Sequence, residues 1–183
     1  MTPPTLETER LLLRPFAEHD LDAFAAMYAD PDVVRHLGDG RPLDRAATWR
    51  TMAVFVGHWE LRGYGQWALV EKVGGDVIGR AGLWHPEGWP GLEVGWLLDR
   101  ARWSRGFATE AARAALDWAF EILGAAHVLS VIAPANVRSI RVAERIGETY
   151  ERRIALDTPA VAGPIDVAIY GIARDRWTAG KRA

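Results

Sequence analysis

The pattern of hydrophobic and polar positions changes character along the chain. Near the start, a short apolar run over residues 11–16 predicts a buried strand. Apolar residues then recur at helical spacing over residues 18–29 and again over residues 44–61. An Asp-Pro pair at 30–31 ends the first helix, and Gly63-Tyr64-Gly65 ends the second. This part of the chain therefore predicts a strand followed by two helices.

The remaining pattern alternates between short apolar runs and longer helical stretches. Strands are predicted at 66–72, 77–84, 92–98, 127–132, 150–156 and 167–172, with helices at 109–123 and 136–146 and a loop at 159–164. Gly74-Gly75-Asp76 predicts a hairpin between the first two of these strands. The resulting order, β-α-α-β-β-β-α-β-α-β-β, predicts a mixed α/β fold with helices packed on the faces of a sheet.

Composition narrows the class of protein. Lys and Arg number 22 and Asp and Glu number 24, which gives a formal net charge of −2 over 183 residues. This balance gives no broad basic surface for nucleic acid and no polybasic membrane anchor. Hydrophobic residues make up 49 %, too many for a disordered chain, and the length suits one domain over residues 1–183.

Targeting and metal-binding features are absent from the sequence. The first 16 residues lack the apolar stretch of a signal peptide, and no run of about 18 apolar residues predicts a membrane span, so we expect a cytoplasmic protein. There is no Cys, which excludes disulfides, Cys-ligated metal sites and a cysteinyl acyl-enzyme. The five His never form a tight pair, and we therefore expect no metal.

The segment over residues 92–116 has the composition of a phosphate site. A predicted strand ends near Leu98, a loop carries Arg100, Arg102 and Arg105, and Gly106 precedes a helix. Unpaired N–H groups and the dipole at a helix N-terminus attract anions, and Gly permits close approach. An ordinary strand–turn–helix connection with solvated arginines fits the same spacing equally well. Two common motifs are excluded, because no Lys-Ser/Thr follows the Gly and the three glycines of a dinucleotide fingerprint are missing.

A second candidate segment covers residues 130–147. Pro134 interrupts the chain after a strand, Asn136 is well placed to cap the next helix, and Ser139 follows one turn later. A local capping role explains these residues without any ligand. The functional alternative is that their side chains also face a ligand at the end of the strand.

Together these segments resemble the GCN5-related N-acetyltransferase superfamily, and within it the ribosomal-protein-alanine acetyltransferase type. ETERLLLRPF is similar to the N-terminal strand of that group, EVGWLLDRARWSRGFATEA to its acetyl-coenzyme A signature, and ANVRSIRVAERIG to its Asn-x-x-Ser…Gly motif. The resemblance extends over roughly residues 6–172. Three positions depart from the pattern: Trp103 stands where Gln or Arg is common, Ala143 where many members have a proton-donating Tyr, and Glu148 where an aromatic residue is usual.

The resemblance implies a fold, a cosubstrate and a reaction. The fold is a central, twisted, mixed but mostly antiparallel sheet of about seven strands with helices on both faces. Acetyl-coenzyme A would donate its acetyl group directly to a primary amine, either a protein N-terminus or a small molecule, without metal, nucleic acid or membrane. A monomer and a homodimer both stay open. The residues that would bind the cosubstrate are Trp96, Leu97, Leu98, Arg102, Trp103, Ser104, Arg105, Gly106, Phe107, Ala108, Thr109, Asn136 and Ser139.

Two catalytic residues are predicted on the same basis. Ser139 is the candidate acid for the departing thiolate, although a helix-start hydroxyl bonded to backbone fits its position nearly as well. Glu93 is the candidate base, against the simpler interpretation of an exposed strand glutamate; Glu151 and Asp157 are fallback bases. Strand alternation places Glu93 and Leu97 on one face of the sheet and Val94 and Leu98 on the other.

The nine Trp are unusual for this length. Trp49, Trp59, Trp84 and Trp89 fall where the fold builds its acceptor cleft, so they are candidates for an apolar or cation-binding wall. Core packing is the more common role for any one of them.

Two other functions compete with acetyl transfer. A non-catalytic acyl-coenzyme A sensor would keep the phosphate loop and lose turnover, and Ala143 in place of the Tyr leaves this alternative open. A nucleotide-binding protein unrelated to acetyl transfer is disfavoured by the lack of a phosphate-loop Lys.

Overall fold

The computed structural model describes residues 3–158 and 163–181. Eight strands form one sheet in the order β1-β2-β3-β4-β5-β6-β8-β7. The strands are β1 (Leu6–Glu7), β2 (Leu11–Arg14), β3 (Gln66–Glu71), β4 (Val77–Trp84), β5 (Glu93–Leu98), β6 (His127–Ile132), β7 (Thr149–Leu156) and β8 (Ile165–Ala173). The helices are α1 (Leu21–Ala29), α2 (Pro31–Val34), α3 (Arg45–Arg62), α4 (Phe107–Glu121), α5 (Val137–Arg145) and α6 (Arg174–Gly180). The predicted mixed α/β architecture is confirmed.

Only one neighbouring pair of strands in the described sheet is parallel. β5 and β6 run in the same direction, while the other pairs, from β1–β2 to β8–β7, are antiparallel. A parallel pair requires a crossover connection, and α4 provides it on one face of the sheet. The prediction of a mixed, mostly antiparallel sheet is therefore correct.

Helices cover both faces of the sheet, as predicted. On one face, Phe24 of α1 and Met52 of α3 pack with Leu97 of β5. On the opposite face, Leu116 of α4 packs with Val94 and Leu98 in the larger core. This arrangement confirms the predicted alternation of residues along β5, because Leu97 and its two neighbours belong to different cores.

The end signals of α3 act as the sequence predicts. The Asp44 carboxylate accepts a hydrogen bond from the N–H of Ala47 at 2.7 Å, which satisfies one free donor of the first turn. At the other end, Gly63 adopts φ +74°, and its N–H bonds to the Trp59 carbonyl oxygen. A left-handed residue is a common helix terminator, and glycine adopts it without steric cost.

One short strand and two short α-helices were not predicted. A two-residue strand, β1, raises the number of strands from about seven to eight. Asp30 and Pro31 end α1 as expected, but the Asp30 carboxylate also caps the four-residue α2 by accepting from the N–H of Asp32. The C-terminal α6 follows directly on β8. Of the predicted loop at 159–164, residues 159–162 lie outside the described part of the chain.

No helix in the described part of the chain is both long enough and apolar enough to cross a bilayer.

Candidate active site

The parallel strands β5 and β6 separate after a single point of contact. Glu93 lies opposite Leu129, and the Leu129 N–H donates to the Leu92 carbonyl oxygen at 2.9 Å. One residue further along β6, the donor to β5 is a side chain and not a backbone N–H. The Ser130 hydroxyl donates to the Val94 carbonyl oxygen, also at 2.9 Å. Since backbone groups alternate in direction along a strand, those of Trp96 also face the gap between the strands.

A cavity of about 520 Å³ occupies this gap. It is bordered by β5, the start of α4, the end of β6 and α5. The predicted site residues in its lining are Glu93, Trp96, Leu97, Leu98, Arg102, Trp103, Ser104, Gly106, Phe107, Ala108, Thr109, Asn136 and Ser139. Residues from two segments about 30 positions apart in the sequence therefore meet around one space.

The start of α4 is built to present backbone N–H groups. Gly106, the residue before the helix, has φ +84°, and no side chain caps the first turn. Ser104 also has a positive φ, +62°, which is uncommon for a residue with a Cβ. The first N–H groups of an uncapped helix carry partial positive charge and have no intrahelical acceptor. The predicted helix start at 109 is two residues late, because Gly106 already turns the chain into the helix.

The loop arginines are held by acidic side chains. Arg102 donates to Glu71 at 2.7 Å and to Asp76 at 3.0 Å, and Arg105 donates to Glu71 at 3.2 Å. Arg102 still borders the cavity, whereas Arg105 is not part of its lining. Sequence spacing could not anticipate these pairs, since the acidic partners lie on the β3–β4 hairpin.

Five arginines besides Arg102 border the cavity and were not predicted from the sequence: Arg35, Arg80 and three on α5. Arg138, Arg141 and Arg145 on α5 all line it. The Arg138 guanidinium lies 4.4 Å from the centre of the Trp103 ring, a cation–π contact. Their i, i+3, i+7 spacing puts them on one helix face and was the signal available in the sequence.

At the start of α5, the predicted Asn136 and Ser139 lie together. The Asn136 side chain accepts a hydrogen bond from the Ser139 N–H at 3.2 Å, so the predicted cap is confirmed. The Ser139 hydroxyl borders the cavity and makes no hydrogen bond to any described residue. The alternative of a hydroxyl bonded to backbone is therefore not what the structure has. Ala143, at the position where many similar proteins have Tyr, is fully buried and offers no proton donor.

Glu93 is a half-buried carboxyl at the start of the gap. Its Oε2 accepts from the indole N–H of Trp89 at 2.7 Å, and its Oε1 lies 3.5 Å from the N–H of Val131. Burial raises the pKa of Glu93 from its usual 4.5 to about 7, although these donors and the Arg80 charge act in the opposite direction. A carboxyl in this state can accept a proton near neutral pH.

A second cavity, of about 370 Å³, adjoins the first at Glu93. Phe55, Trp84 and Trp89 form an aromatic part of its lining, and Arg80 borders it as well. Glu93, Gly95, Val131 and Ala133 are among the residues common to both cavities. Glu93 therefore stands where the two spaces meet.

The four candidate tryptophans have different roles. Trp84 and Trp89 line the second cavity, as the acceptor-wall hypothesis requires. Trp59 is buried in the core, where its indole N–H donates to the Gln66 carbonyl oxygen at 2.8 Å. Trp49 is 52 % exposed on α3 and borders neither cavity.

The fallback bases lie away from both cavities. Glu151 lies on the outer strand β7, and its carboxylate forms a hydrogen bond with the His127 ring at 2.6 Å. Asp157 is exposed just after β7. Neither is in the lining, so Glu93 is the carboxyl among the three candidates that faces the gap.

The described residues contain no group of three or more His, Cys, Asp or Glu side chains arranged to hold a metal ion.

Comparisons with known proteins all indicate the same family. The acetyltransferase (GNAT) domain model matches residues 10–149. A crystal structure of an acetyltransferase from Agrobacterium tumefaciens is 36 % identical, has a TM-score of 0.80, and covers 94 % of this chain and 95 % of its own. The uncharacterized N-acetyltransferase p20 of Bacillus licheniformis is 27 % identical over 94 % of this chain and 98 % of its own length.

One comparison concerns the ribosomal-protein type that the sequence resembles. A ribosomal-protein-S5-alanine acetyltransferase from Vibrio fischeri has a TM-score of 0.73 over 95 % of this chain and 98 % of its own, but only 17 % identity. That likeness shows the fold alone. The family match over residues 10–149, with the fold and the N-acetyltransferase relative, identifies the chain as an acetyltransferase of the GNAT family.

Proposed function

We propose that the whole chain works as one acetyltransferase domain that moves the acetyl group of acetyl-coenzyme A directly to a primary amine. The observation that carries this proposal is the gap between β5 and β6, which faces the uncapped start of α4 and has Glu93 where two cavities meet. Each cavity then takes one substrate, and the two reacting groups meet beside Glu93.

The larger cavity has the features that a coenzyme A requires. The N–H groups at the start of α4, around Phe107, Ala108 and Thr109, would bind the pyrophosphate. The arginines of α5 add positive charge on the same cavity. On β5, the Leu98 carbonyl oxygen already accepts the Trp103 indole N–H at 3.0 Å. The backbone of Trp96 would therefore be the part of this strand that holds the pantetheine arm. Asn136 and the hydroxyl of Ser139 lie further along the same lining.

The chemistry divides between two side chains. Bound acetyl-coenzyme A supplies an activated thioester carbonyl. Glu93 takes the proton of the acceptor amine, which it can do near neutral pH because its pKa is about 7. The Ser139 hydroxyl, which has no acceptor among the described residues, donates toward the departing sulfur. The reaction needs no covalent enzyme intermediate, consistent with a chain that contains no Cys.

The acceptor side favours an amine with an apolar neighbouring group. Phe55, Trp84 and Trp89 offer aromatic surface, and the Glu93 carboxylate offers a partner for the ammonium form. Both a protein N-terminus and a small-molecule amine satisfy these requirements, so the acceptor test includes both.

The experiment is a calorimetric titration with acetyl-coenzyme A, with adenosine nucleotides as controls, followed by thiol-release assays on a panel of peptides and small amines. We expect micromolar binding, where a Kd of 1 μM corresponds to about −8 kcal/mol, and turnover on at least one amine class. Absence of binding would overturn the cosubstrate assignment. Binding without turnover on any amine would instead support the acyl-coenzyme A sensor.

A further inference from the structure

Another carboxyl, that of Glu148, is buried close to the reaction site without facing either cavity. Glu148 follows Gly147 at the end of α5 and precedes β7, and only 2 % of its surface is exposed. It occupies the position where the resemblance leads one to expect an aromatic residue. The proposed chemistry does not use it. A buried carboxyl that replaces an apolar side chain calls for a physical explanation.

The hydrogen bonds around Ser130 indicate which state this carboxyl is in. The Ser130 Oγ lies 2.9 Å from the Val94 carbonyl oxygen and 3.1 Å from Oε1 of Glu148. A hydroxyl has one proton to donate, and the Val94 carbonyl can only accept. If Glu148 carries a proton, it donates to Ser130 and Ser130 donates to Val94, so that both contacts are hydrogen bonds.

The surroundings of Glu148 disfavour a negative charge. Its Oε2 is buried and has no hydrogen-bond partner among the described residues, which also form no salt bridge with it. The charged groups that face it are Glu93 and Glu151, both acidic. Burial is the largest effect, and together these groups raise the pKa of Glu148 from 4.5 to about 9.

Ser130 connects this carboxyl to the reaction site by two routes. Through its hydroxyl it holds the carbonyl of Val94, the residue that follows Glu93 on β5. Through the chain it precedes Val131, whose N–H faces the Glu93 carboxylate. Both contacts lie at the point where β5 and β6 stop pairing. The position of Ser130 therefore affects the width of the gap and the orientation of Glu93.

We propose that Glu148 is a positioning residue: as a neutral carboxylic acid it donates a hydrogen bond to Ser130, and this pair fixes β5, β6 and the Glu93 carboxylate in the arrangement that acetyl transfer requires. This inference rests on the proposed role of Glu93 as the base. Glu148 itself touches neither substrate cavity.

The first test compares Glu148→Gln with Glu148→Leu. The amide of Gln donates to Ser130 and cannot ionise, so we expect kcat within about twofold of the wild type and an unchanged acidic limb of the pH profile. Leu keeps the bulk and removes the donor, so we expect a fall in kcat of roughly 10- to 100-fold, typical of a misplaced reacting group. The KM for acetyl-coenzyme A should change less than kcat, since the pyrophosphate contacts at the start of α4 are not affected.

Two outcomes overturn the proposal. If Glu148→Leu is as active as Glu148→Gln, the side chain only fills space. If Glu148→Gln moves the acidic limb to lower pH, Glu148 is a carboxylate in the wild type, and its charge was raising the pKa of Glu93. The titratable groups that share the second cavity with Glu93, and so enter this comparison, are Arg35, His36, Asp39, Arg80 and Asp166. They are the same in all variants.

Glu144→Gln is the matched control, because it removes one carboxylate from an exposed position on α5. It should leave kcat and the pH profile unchanged. If Glu148→Leu does not fold, Ser130→Ala tests the same connection by removing the middle group. It should lower kcat in the same way, and normal activity of Ser130→Ala would contradict the proposal.

A second measurement needs no substrate and so separates this inference from the proposed function. At pH 8, infrared difference spectra between the wild type and Glu148→Gln should contain the C=O stretch of a protonated carboxyl. Spectra between the wild type and Glu144→Gln should not contain it. Absence of the band from the first comparison would overturn the neutral-acid assignment. Presence of the band in a protein that acetylates no amine would contradict only the proposed function.

Discussion

At the scale of single residues, Glu93 differs from an ordinary strand carboxyl in its surroundings. Trp89 fixes one oxygen, the Val131 N–H lies near the other, and burial raises the pKa to about 7. Because the pKa is raised, the basic form accumulates only as the pH increases through about 7. We therefore expect kcat/KM to rise with pH over this range, as measured by initial rates between pH 5.5 and 8.5.

Replacement of Glu93 tests this assignment. Glu93→Gln should lower kcat by at least about 100-fold, the lower range for a general base, and should remove the acidic limb near pH 7. Glu87→Gln is the control, since Glu87 is an exposed carboxyl of the neighbouring turn that borders neither cavity. Retention of the limb in Glu93→Gln would mean that another group, or the free amine itself, sets the pH dependence.

For single residues, prediction from the sequence succeeded where the backbone alone determines toward which face of the sheet a side chain points. The alternation along β5 correctly separated Leu97 from Val94 and Leu98. It was less informative for long side chains: Arg102 and Arg105 reach Glu71 across the sheet, more than 30 residues away in the chain. Flexible charged groups choose partners by three-dimensional proximity, which local spacing does not encode.

At the scale of elements, the start of α4 depends on Gly106. Its φ of +84° disfavours any residue with a Cβ, and an added Cβ would lie 3.3 Å from the Arg10 guanidinium. Gly106→Glu adds bulk and negative charge beside the free N–H groups of the helix. We expect at least tenfold weaker binding of acetyl-coenzyme A by calorimetry, which corresponds to about 1.4 kcal/mol.

Gly106→Ala separates the two effects, because it introduces the backbone strain without the charge. It should lower the thermal stability and weaken acetyl-coenzyme A binding less than Gly106→Glu does. Equal affinities for the wild type and Gly106→Glu would show that the cosubstrate does not bind at this helix.

Most elements were predicted from the sequence because their end signals are local. Asp44 and Gly63 border α3, and the Gly-Gly-Asp turn joins β3 to β4. The missed elements are short: β1 has two residues and α2 has four, too few for a periodic pattern to be recognised. The gap between β5 and β6 was also beyond prediction, since strand pairing and its loss are not properties of either segment alone.

At the scale of the whole molecule, the raised pKa values of two carboxyls, half-buried Glu93 and buried Glu148, make stability depend on pH. The pKa values of Glu93 and Glu148 are raised from 4.5 to about 7 and about 9. Above pH 4.5 the unfolded chain loses these protons while the native state retains them, so the free energy of unfolding falls as the pH rises. Each retained proton contributes up to about 1.4 kcal/mol per pH unit.

Urea unfolding at pH 7, 8 and 9 tests this linkage. Between pH 7 and pH 9, Glu148 is the carboxyl of the pair that still holds its proton, so stability should decrease less steeply in Glu148→Gln than in the wild type. Parallel curves for the two proteins would contradict the raised pKa. Burial lowers the pKa of His58, so that group reduces stability only as the pH falls below about 6.5 and does not affect this range.

The two cavities have a consequence for the order in which molecules enter and leave. They share eight lining residues, among them Glu93, Gly95 and Val131, so the two spaces join at this part of β5 and β6. On the proposed function, donor and acceptor occupy different cavities and meet only at their reacting groups. Neither molecule would then have to bind or leave first. An acceptor at low concentration could bind while coenzyme A is still on the enzyme.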